Sequence, residues 1–264
     1  MKPDYKNWVP KSMVTGLWAG AALAFALFLL LGATGIVLHG TARIICGIVF
    51  GAGTLALLFF AVWMTALHRT FDYNGKRKLA KTIIDGTAEH VTLPEGGVGL
   101  DVGCGSGALT IACAKRNPQA EMVGCDIWSG AYKTVFTKAV CEKNAEAEGV
   151  TNVHFEEGNA LKLPFENECF DAVTSNYVYH NITGHDKQKL LLETLRVLKK
   201  GGVFAIHDLM GPARYGDMEA FAEGLKAHGY EDVRLIDTTD GMFMGKKEAA
   251  WLGLGGSTLL IGRK

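Results

Sequence analysis

The sequence predicts an α/β domain with a mostly parallel sheet covered by helices on both faces, preceded by an all-α transmembrane hairpin. Two long apolar runs without charges stand near the N-terminus, and strand-like and helix-like segments alternate from Val98 onward. Three glycines stand at alternate positions where the first of these strands meets its helix. We therefore expect a membrane hairpin over residues 1–70 and a cytoplasmic domain over residues 71–264.

The hairpin prediction rests on Met13 to Leu38 and Ile44 to Leu67, which contain no charged residue. Each run is longer than the ~20 residues that a helix needs to cross the hydrocarbon core of a bilayer. A buried helical pair in a soluble core is the alternative, but neither run shows a polar face. We therefore predict two membrane spans, at about 13–38 and 44–67.

The charges that flank these runs predict the orientation of the hairpin. Basic residues precede the first span and follow the second, whereas the connection between them carries Arg43 alone. We expect a multi-pass protein of the cell membrane with both termini and the α/β domain in the cytoplasm. Small residues four positions apart let helices approach closely, either within the hairpin or between the chains of a homo-oligomer. Each run contains one such pair: Gly16 and Gly20, and Gly47 and Gly51.

The domain after the hairpin alternates strands and helices. Strands are predicted at Val98 to Val102, Glu121 to Cys125, Val153 to Glu156, Phe170 to Ser175, Val203 to His207, Val233 to Ile236 and Thr258 to Ile261. Helices are predicted at Ala108 to Lys115, Ala131 to Glu148, Asp186 to Lys199 and Asp217 to His228, with glycines after the last three. The charged stretch from Asp72 to Lys81 is predicted as a linker that becomes the first helix of the domain.

Composition excludes several partners. The chain has 27 basic and 27 acidic residues and no basic patch interleaved with aromatic residues, so nucleic acid is not an expected substrate. Its 6 cysteines are scattered without the spacing of metal ligands, and we expect reduced thiols and no metal site.

The glycine-rich turn is the most informative motif. Gly103, Gly105 and Gly107 can adopt backbone angles closed to other residues, and the helix that follows offers unpaired amides to an anionic or nucleotide-like ligand. Asp126 ends the second strand roughly 20 residues later, the distance at which a carboxylate accepts from ribose hydroxyls. The GxGxG spacing and the preceding Asp101 argue against nicotinamide and flavin cofactors.

At these motifs the sequence resembles the class I S-adenosylmethionine-dependent methyltransferases. DVGCGSG matches their cofactor loop, CDIW their ribose-binding strand end, EEGNALKLPFENECFDAVTSNYVYHNI their third and fourth strands and RVLKKGGVFAIHDL their fifth, and the resemblance covers about residues 72–264. It implies a Rossmann-like, seven-stranded sheet and S-adenosylmethionine as the cofactor. It also implies a set of cofactor-binding residues: Asp101, Gly103, Cys104, Gly105, Gly107, Asp126, Ile127, Trp128, Asn159, Ala160 and Asn176.

Within that set, the resemblance implies contacts of Gly103, Cys104 and Gly105 with the methionine part and of Asp126 with the ribose. Ile127 and Trp128 would flank the adenine. Most relatives carry an aspartate where this chain has Asn159, and an amide oxygen can still accept from the adenine amino group. Asn176 would close the cofactor pocket.

Ligands of open α/β sheets bind beyond the carboxyl ends of the strands, so the residues after the fourth and fifth strands form the candidate acceptor site. His180 is the candidate general base because imidazole titrates near neutral pH, with Tyr177 as a second catalytic candidate. A purely structural hydrogen bond of His180 is the alternative. The substrate-binding candidates are Tyr73, Tyr179, His207 and Asp208; strand alternation sends the side chains of the last two to opposite sides, so they do not form an obvious dyad.

Three functions stay open at this point. The hairpin favours methylation of a small or lipophilic, membrane-dissolved acceptor such as a lipid headgroup or a quinone. A merely anchored enzyme would methylate a small soluble thiol or another soft nucleophile. A membrane-tethered sensor would bind the cofactor without turnover. The segment 241–255 is interpreted as a mobile lid, a headgroup contact or a packed edge of the domain.

Overall fold

The computed structural model describes residues 2–129 and 135–264 and divides the chain into two compact units. One unit is Asn7–Ala80, and the other is Lys81–Lys264 together with the residues before Asn7. The linker predicted after residue 70 therefore groups with the hairpin. Part of the helix predicted from Ala131 lies outside the described residues.

The first unit consists of two long apolar helices. Helix α1 spans Lys11–Leu27 and continues as a π-helical segment, Phe28–Ala33, and helix α2 spans Gly40–Phe71. Within the described residues, both are long and apolar enough to cross a membrane, by length and composition. Most of their large apolar side chains are exposed.

The first apolar helix ends at Ala33, earlier than the predicted Leu38, and Arg43 supplies the reason. The Arg43 guanidinium donates to the carbonyl oxygens of Gly32 at 2.8 Å and Ala33 at 2.5 Å. The last carbonyls of a helix lack partners within it, so these bonds stabilise an end at this position.

Glycines allow the two helices of this unit to approach. A Cβ atom added at Gly32 would lie 2.4 Å from the Cα atom of Gly47, whereas one at Gly16 would meet nothing within 4 Å. Close packing at Gly47 within the hairpin is thus confirmed. The sequence did not single out its partner, Gly32.

The second unit contains a seven-stranded sheet in the order β3-β2-β1-β4-β5-β7-β6. The strands are β1 (Val98–Val102), β2 (Glu121–Asp126), β3 (Val153–Glu157), β4 (Phe170–Asn176), β5 (Leu198–Leu209), β6 (Glu231–Asp237) and β7 (Ser257–Arg263). Strands β1 to β5 pair in parallel, and β7 runs antiparallel to β5 and β6. The predicted Rossmann-like, mostly parallel fold is confirmed.

Helices surround this sheet, and capping side chains explain where several begin. They are α3 (Leu79–Ala88), α4 (Ala108–Arg116), α5 (Lys138–Glu148), α6 (Lys187–Arg196), α7 (Pro212–Tyr215), α8 (Met218–Ala227) and α9 (Lys246–Leu252). Thr137, Asp186 and Asp217 each accept a hydrogen bond from a backbone amide in the first turn of the helix that follows, as N-cap residues do. Gly149, in the left-handed region, ends α5 as predicted.

Strand pairing moves one predicted boundary. Helix α6 ends at Arg196 rather than Lys199, because the carbonyl of Val197 accepts from the amides of Cys169 and Phe170 and starts β5 beside β4. Gly201, predicted to stop the helix, lies within β5 instead. Tertiary pairing here overrides a local stop signal.

The segment 241–255 is a packed edge of the second unit. Phe243, Met244 and Leu252 are buried, and the Phe243 ring meets the His207 ring edge-on at 5.4 Å. A Cβ atom added at Gly86 of α3 would lie 2.3 Å from Phe243. Of the three interpretations of this segment, the packing supports the packed edge.

Candidate active site

The glycine turn after β1 has one open position. Gly103, Gly105 and Gly107 all have positive φ angles, of 73°, 56° and 80°. A Cβ atom at Gly103 would lie 2.4 Å from Val178, and one at Gly107 would lie 3.0 Å from Phe155. At Gly105 the nearest atom would be 4.0 Å away, so this is where a ligand can approach the backbone.

Asp126 stands beside that open position. Its carboxylate accepts from the Gly105 amide at 2.9 Å and from the Trp128 amide at 2.8 Å. A carboxylate offers about four lone-pair sites, so two remain for the hydroxyls of a ribose. One side chain therefore fixes the turn and keeps the capacity to bind a diol.

The residues after Asp126 frame the same region. Trp128 adopts a φ angle of 39°, and its indole NH donates to the Gly105 carbonyl at 3.0 Å. The apolar side chain of Ile127 is exposed, so a flat apolar ligand can pack against it. The segment that follows, residues 130–134, lies outside the described residues.

Asp101 is buried and fully engaged within the protein. Its two carboxylate oxygens accept from the hydroxyls of Thr110 at 2.7 Å and Thr174 at 3.0 Å. Burial raises the pKa of Asp101 to about 7, although these hydrogen bonds oppose the rise. Asp101 therefore links the end of β1 to Thr110 of α4 and Thr174 of β4, and these bonds stabilise the base of the turn.

The other predicted cofactor residues also lie at the carboxyl edge of the sheet. The Asn159 side-chain oxygen accepts from the Leu161 amide at 2.9 Å, which keeps this exposed amide at the end of β3; Ala160 beside it is buried. The Cys104 amide donates to the Cys125 carbonyl at 3.1 Å, and burial raises the pKa of its thiol. A neutral, buried thiol fits packing rather than nucleophilic chemistry.

The strands β4 and β5 bring His180 and Asp208 together as a dyad. The His180 Nδ1 atom lies 2.5 Å from an Asp208 carboxylate oxygen. The His180 side chain is 19% exposed and that of Asp208 is 0% exposed. An imidazole that donates through Nδ1 has Nε2 free to accept a proton, which is how a buried carboxylate orients a general base.

The environment of Asp208 keeps it charged. Backbone amides of Tyr179, His180 and Leu209 donate to its carboxylate at 2.8, 3.2 and 2.6 Å. Burial by itself would raise the pKa of Asp208, but the hydrogen bond and charge of His180 and the Leu209 amide outweigh it and hold the pKa below its usual range.

His207 and Asp208 point to opposite sides of β5, as strand alternation predicts. His207 is buried between Asn176, 2.8 Å from Nδ1, and Thr238, 3.0 Å from Nε2. Burial lowers the pKa of His207 to about 3, so its ring is neutral at physiological pH. Both ring nitrogens are occupied, and His207 therefore shapes the site without taking a proton.

Tyr177 lies between the two histidines. Its ring centroid is 4.7 Å from that of His207 and 5.9 Å from that of His180, and its φ angle of 54° is strained for a non-glycine residue. Its hydroxyl pairs with the buried Ser257 hydroxyl at 2.7 Å, and burial raises the pKa of Tyr177. A phenol that stays protonated cannot act as a base. The role that remains for Tyr177 is to line the site and position the groups beside it.

Three substrate-binding predictions change with these placements. Tyr179 is fully buried and its hydroxyl pairs with Thr194 at 2.5 Å, which favours a packing role, and its contact with substrate stays a prediction. His207 and Asp208 are likewise inaccessible and act through their neighbours. Tyr73 belongs to the hairpin unit, and its contact with substrate stays a prediction.

Sequence reasoning missed the partner of His180. The signal was available in the register of the sheet, because Asn176 at the end of β4 pairs with His207 at the end of β5. Residues that follow β4 must then pass beside Asp208. Thr238 and Ser257, which hold His207 and Tyr177, gave no such signal because they come from distant segments.

The chain is similar in sequence to known methyltransferases. A family model described as a methyltransferase domain matches residues 94–234, more than half of the chain. The chain belongs to this methyltransferase family. It is 30% identical over 172 residues to the demethylmenaquinone methyltransferase of Geobacillus stearothermophilus, a match covering 61% of this chain and 70% of that protein. The demethylmenaquinone methyltransferase of Bacillus subtilis is 28% identical over 179 residues, covering 64% of this chain and 73% of that protein.

Solved structures share the fold at low identity. The [4+2]-cyclase SpnF matches with a TM-score of 0.53 and 21% identity, covering 73% of this chain and 85% of its own. A geranyl diphosphate methyltransferase in complex with geranyl diphosphate and sinefungin matches with a TM-score of 0.52 and 16% identity, covering 73% and 84%. These two likenesses confirm the fold alone.

The family and the named relatives show that this protein is a methyltransferase and therefore an enzyme, so a sensor without turnover is set aside. S-adenosylmethionine is the cofactor that the sequence motifs imply. The described residues fit this cofactor. Gly105 leaves open space beside the backbone, and Asp126 keeps the acceptor capacity that a ribose diol requires.

Proposed function

We propose that this methyltransferase is an integral membrane enzyme that methylates a lipophilic, quinol-type acceptor, with His180 as the general base. The His180–Asp208 dyad carries the proposal, because it stands after β4 and β5, where acceptors of this fold bind. The names of the relatives support a quinone-class acceptor.

Different residues bind the cofactor, accept the proton and line the acceptor site. Gly105, Asp126 and Ile127 would hold S-adenosylmethionine, which supplies an activated methyl group on a sulfonium when it is bound. The His180 Nε2 atom accepts the proton that the acceptor must lose, and Asp208 stabilises the resulting imidazolium. Tyr177, uncharged at neutral pH and backed by the buried, neutral His207 ring, provides an aromatic wall that suits a flat, apolar ring.

A base of this kind selects among acceptors. Phenols, enols and thiols carry a proton that must leave, whereas thioethers and tertiary amines do not and would gain nothing from the dyad. A hydroquinone satisfies the requirement, since loss of a phenolic proton makes the ring more nucleophilic. A small soluble thiol satisfies it as well and is the second acceptor class to be tested.

The membrane placement rests on the two apolar helices and on their flanking charges. Asp4 and Tyr5, which precede the first helix, form hydrogen bonds with the catalytic unit. Such contacts require the start of the chain to lie on the same side of a bilayer as the residues after the second helix. Two spans satisfy this requirement, and the excess of basic residues on that side supports its assignment to the cytoplasm.

Replacement of His180 tests the proposed base. In the full-length protein in nanodiscs supplied with a demethylated naphthoquinol, we expect His180→Ala to lower kcat about 10²- to 10⁴-fold, the usual contribution of a general base. The affinity for S-adenosylhomocysteine, measured by calorimetry, should stay near wild type. His185→Ala, at an exposed histidine nearby, is the matched control. Full activity of His180→Ala would remove the base from the proposal.

A further inference from the structure

The residues that precede the hairpin pack onto the catalytic unit beside the cofactor turn. Tyr5 is 6% exposed, and its carbonyl accepts a 2.7 Å hydrogen bond from the hydroxyl of Ser106. Ser106 lies between Gly105 and Gly107. The turn that the cofactor must approach is therefore held partly by a residue about a hundred positions away in sequence.

A buried asparagine extends this contact. The Asn144 side-chain oxygen accepts from the Asp4 amide at 2.7 Å, and its NH₂ group donates to the Asp4 carbonyl at 3.2 Å and the Ser106 carbonyl at 3.0 Å. Asn144 lies on α5 and is 3% exposed. One side chain thus joins both backbone groups of Asp4 to the backbone of the turn.

These bonds matter because the groups they satisfy are buried. If the N-terminal segment left, the Ser106 hydroxyl would lose its bond to Tyr5 and the Asn144 side chain would lose both of its bonds to Asp4, and an unpaired buried polar group is costly. The turn would then relax toward conformations that restore its hydrogen bonds. Gly103, Gly105 and Gly107 make such relaxation easy, since glycine restricts the backbone least.

We propose that Asp4 and Tyr5 form a positioning segment of the cofactor site, holding the Gly105–Gly107 turn in its binding conformation. Cofactor affinity then depends on residues that stand before the first apolar helix, outside the matched methyltransferase domain. This inference rests on the placement of the cofactor at Gly105 within the proposed function, and it is independent of the acceptor.

Tyr5→Ala in the full-length protein is the test, because it removes the buried ring that holds the segment in place. We expect a three- to tenfold weaker affinity for S-adenosylhomocysteine by calorimetry, the effect of about one hydrogen bond. In the ligand-free protein, the amides of the turn should exchange hydrogen faster with solvent. The KM for the acceptor should not change.

Conservative variants separate positioning from general stability. Tyr5→Phe keeps the buried ring but loses the hydroxyl bond to Glu148, and it should bind with nearly wild-type affinity. Lys2→Ala changes an exposed charge and should have no effect. Tyr5→Ala and Ser106→Ala should be non-additive in cofactor affinity, because the first releases the backbone carbonyl that accepts from Ser106 and the second removes the hydroxyl that donates to it.

Wild-type affinity and wild-type exchange at the turn in Tyr5→Ala would overturn the inference, even if the variant unfolded at a lower temperature. Failure of the cofactor placement itself is distinguishable, because Gly105→Ala would then bind S-adenosylhomocysteine like wild type.

Discussion

His180 and Asp208 illustrate how a buried carboxylate defines the role of its partner. Three backbone amides hold Asp208 in one orientation, and the His180 imidazole contacts it through Nδ1. His207, the neighbouring histidine, is bonded at both nitrogens and is neutral. Two histidines within the same site thus have different functions because their hydrogen-bond partners differ.

Replacement of the carboxylate tests this division. Asp208→Asn keeps the shape of the side chain but removes the charge that stabilises the imidazolium and places an NH₂ group against backbone amides. We expect kcat to fall about 10²-fold or more, with little change in S-adenosylhomocysteine affinity. Equal turnover by Asp208→Asn and wild type would show that the dyad is only structural.

Gly105→Ala tests the open position of the turn. A methyl group there would fit the protein but would occupy the space where the ligand approaches. We expect at least a tenfold loss of S-adenosylhomocysteine affinity by calorimetry, equivalent to about 1.4 kcal/mol. Gly149→Ala is the matched control, since it imposes similar left-handed strain at the end of α5 with nothing within 4 Å. Equal loss of affinity in both variants would refute the placement.

Asp101 gives the folded protein a defined pH dependence. Its pKa of about 7 in the folded chain exceeds the value of about 3.9 in an unfolded chain, so the folded state binds the proton more tightly. Its contribution to stability is therefore present below pH 4 and is lost as the pH rises to about 7. We expect the thermal midpoint of wild type to fall over this range more than that of Asp101→Asn. Parallel pH profiles of the two proteins would contradict the shift.

Helix packing in the hairpin depends on two glycines that face each other. Gly32→Ala places a methyl group 2.4 Å from the Gly47 backbone, whereas Gly16→Ala meets nothing within 4 Å. Overpacking of this kind costs about 1–3 kcal/mol, so Gly32→Ala should lower the thermal midpoint in detergent while Gly16→Ala does not. A similar midpoint for both variants would show that the close approach does not stabilise the hairpin.

Hydrophobic periodicity, helix caps and glycine stops in the sequence predicted most of the helices and strands. Strands β1 to β4 and helices α4 and α8 lie within one residue of their predicted bounds, because apolar alternation, caps and glycine stops agree there, whereas β5 begins at Leu198, before the predicted Val203. The exceptions arise from distant contacts. Arg43 ends the first apolar helix early, and the pairing of Val197 with β4 shortens α6.

The candidate site divides in the same way. Contiguous motifs revealed Gly105, Asp126 and His180, because each stands at the end of a recognisable strand. Pairings between distant segments gave no local signal, which is why the contacts of Thr238 with His207 and of Tyr5 with Ser106 emerge from the structure.

The topology of the complete chain is open to direct measurement. We expect a membrane-impermeant maleimide to label His39→Cys, in the connection between the spans, from outside intact cells. Lys2→Cys and Gly255→Cys should react only after the cells are opened. The background should carry Cys46→Ala and Cys169→Ser, because these two cysteines are partly exposed while the others are buried. Labelling of Lys2→Cys in intact cells would contradict the cytoplasmic N-terminus.

The central proposal is that a lipophilic acceptor is deprotonated by the His180–Asp208 dyad of a membrane-anchored enzyme. The most direct test is S-adenosylhomocysteine production by the full-length protein in nanodiscs, supplied with either the lipid extract or the aqueous metabolite extract of the source organism. We predict turnover with the lipid extract that is lost in His180→Ala. Turnover confined to the aqueous extract would contradict a membrane-dissolved acceptor and would reduce the hairpin to an anchor for an enzyme acting on a soluble nucleophile.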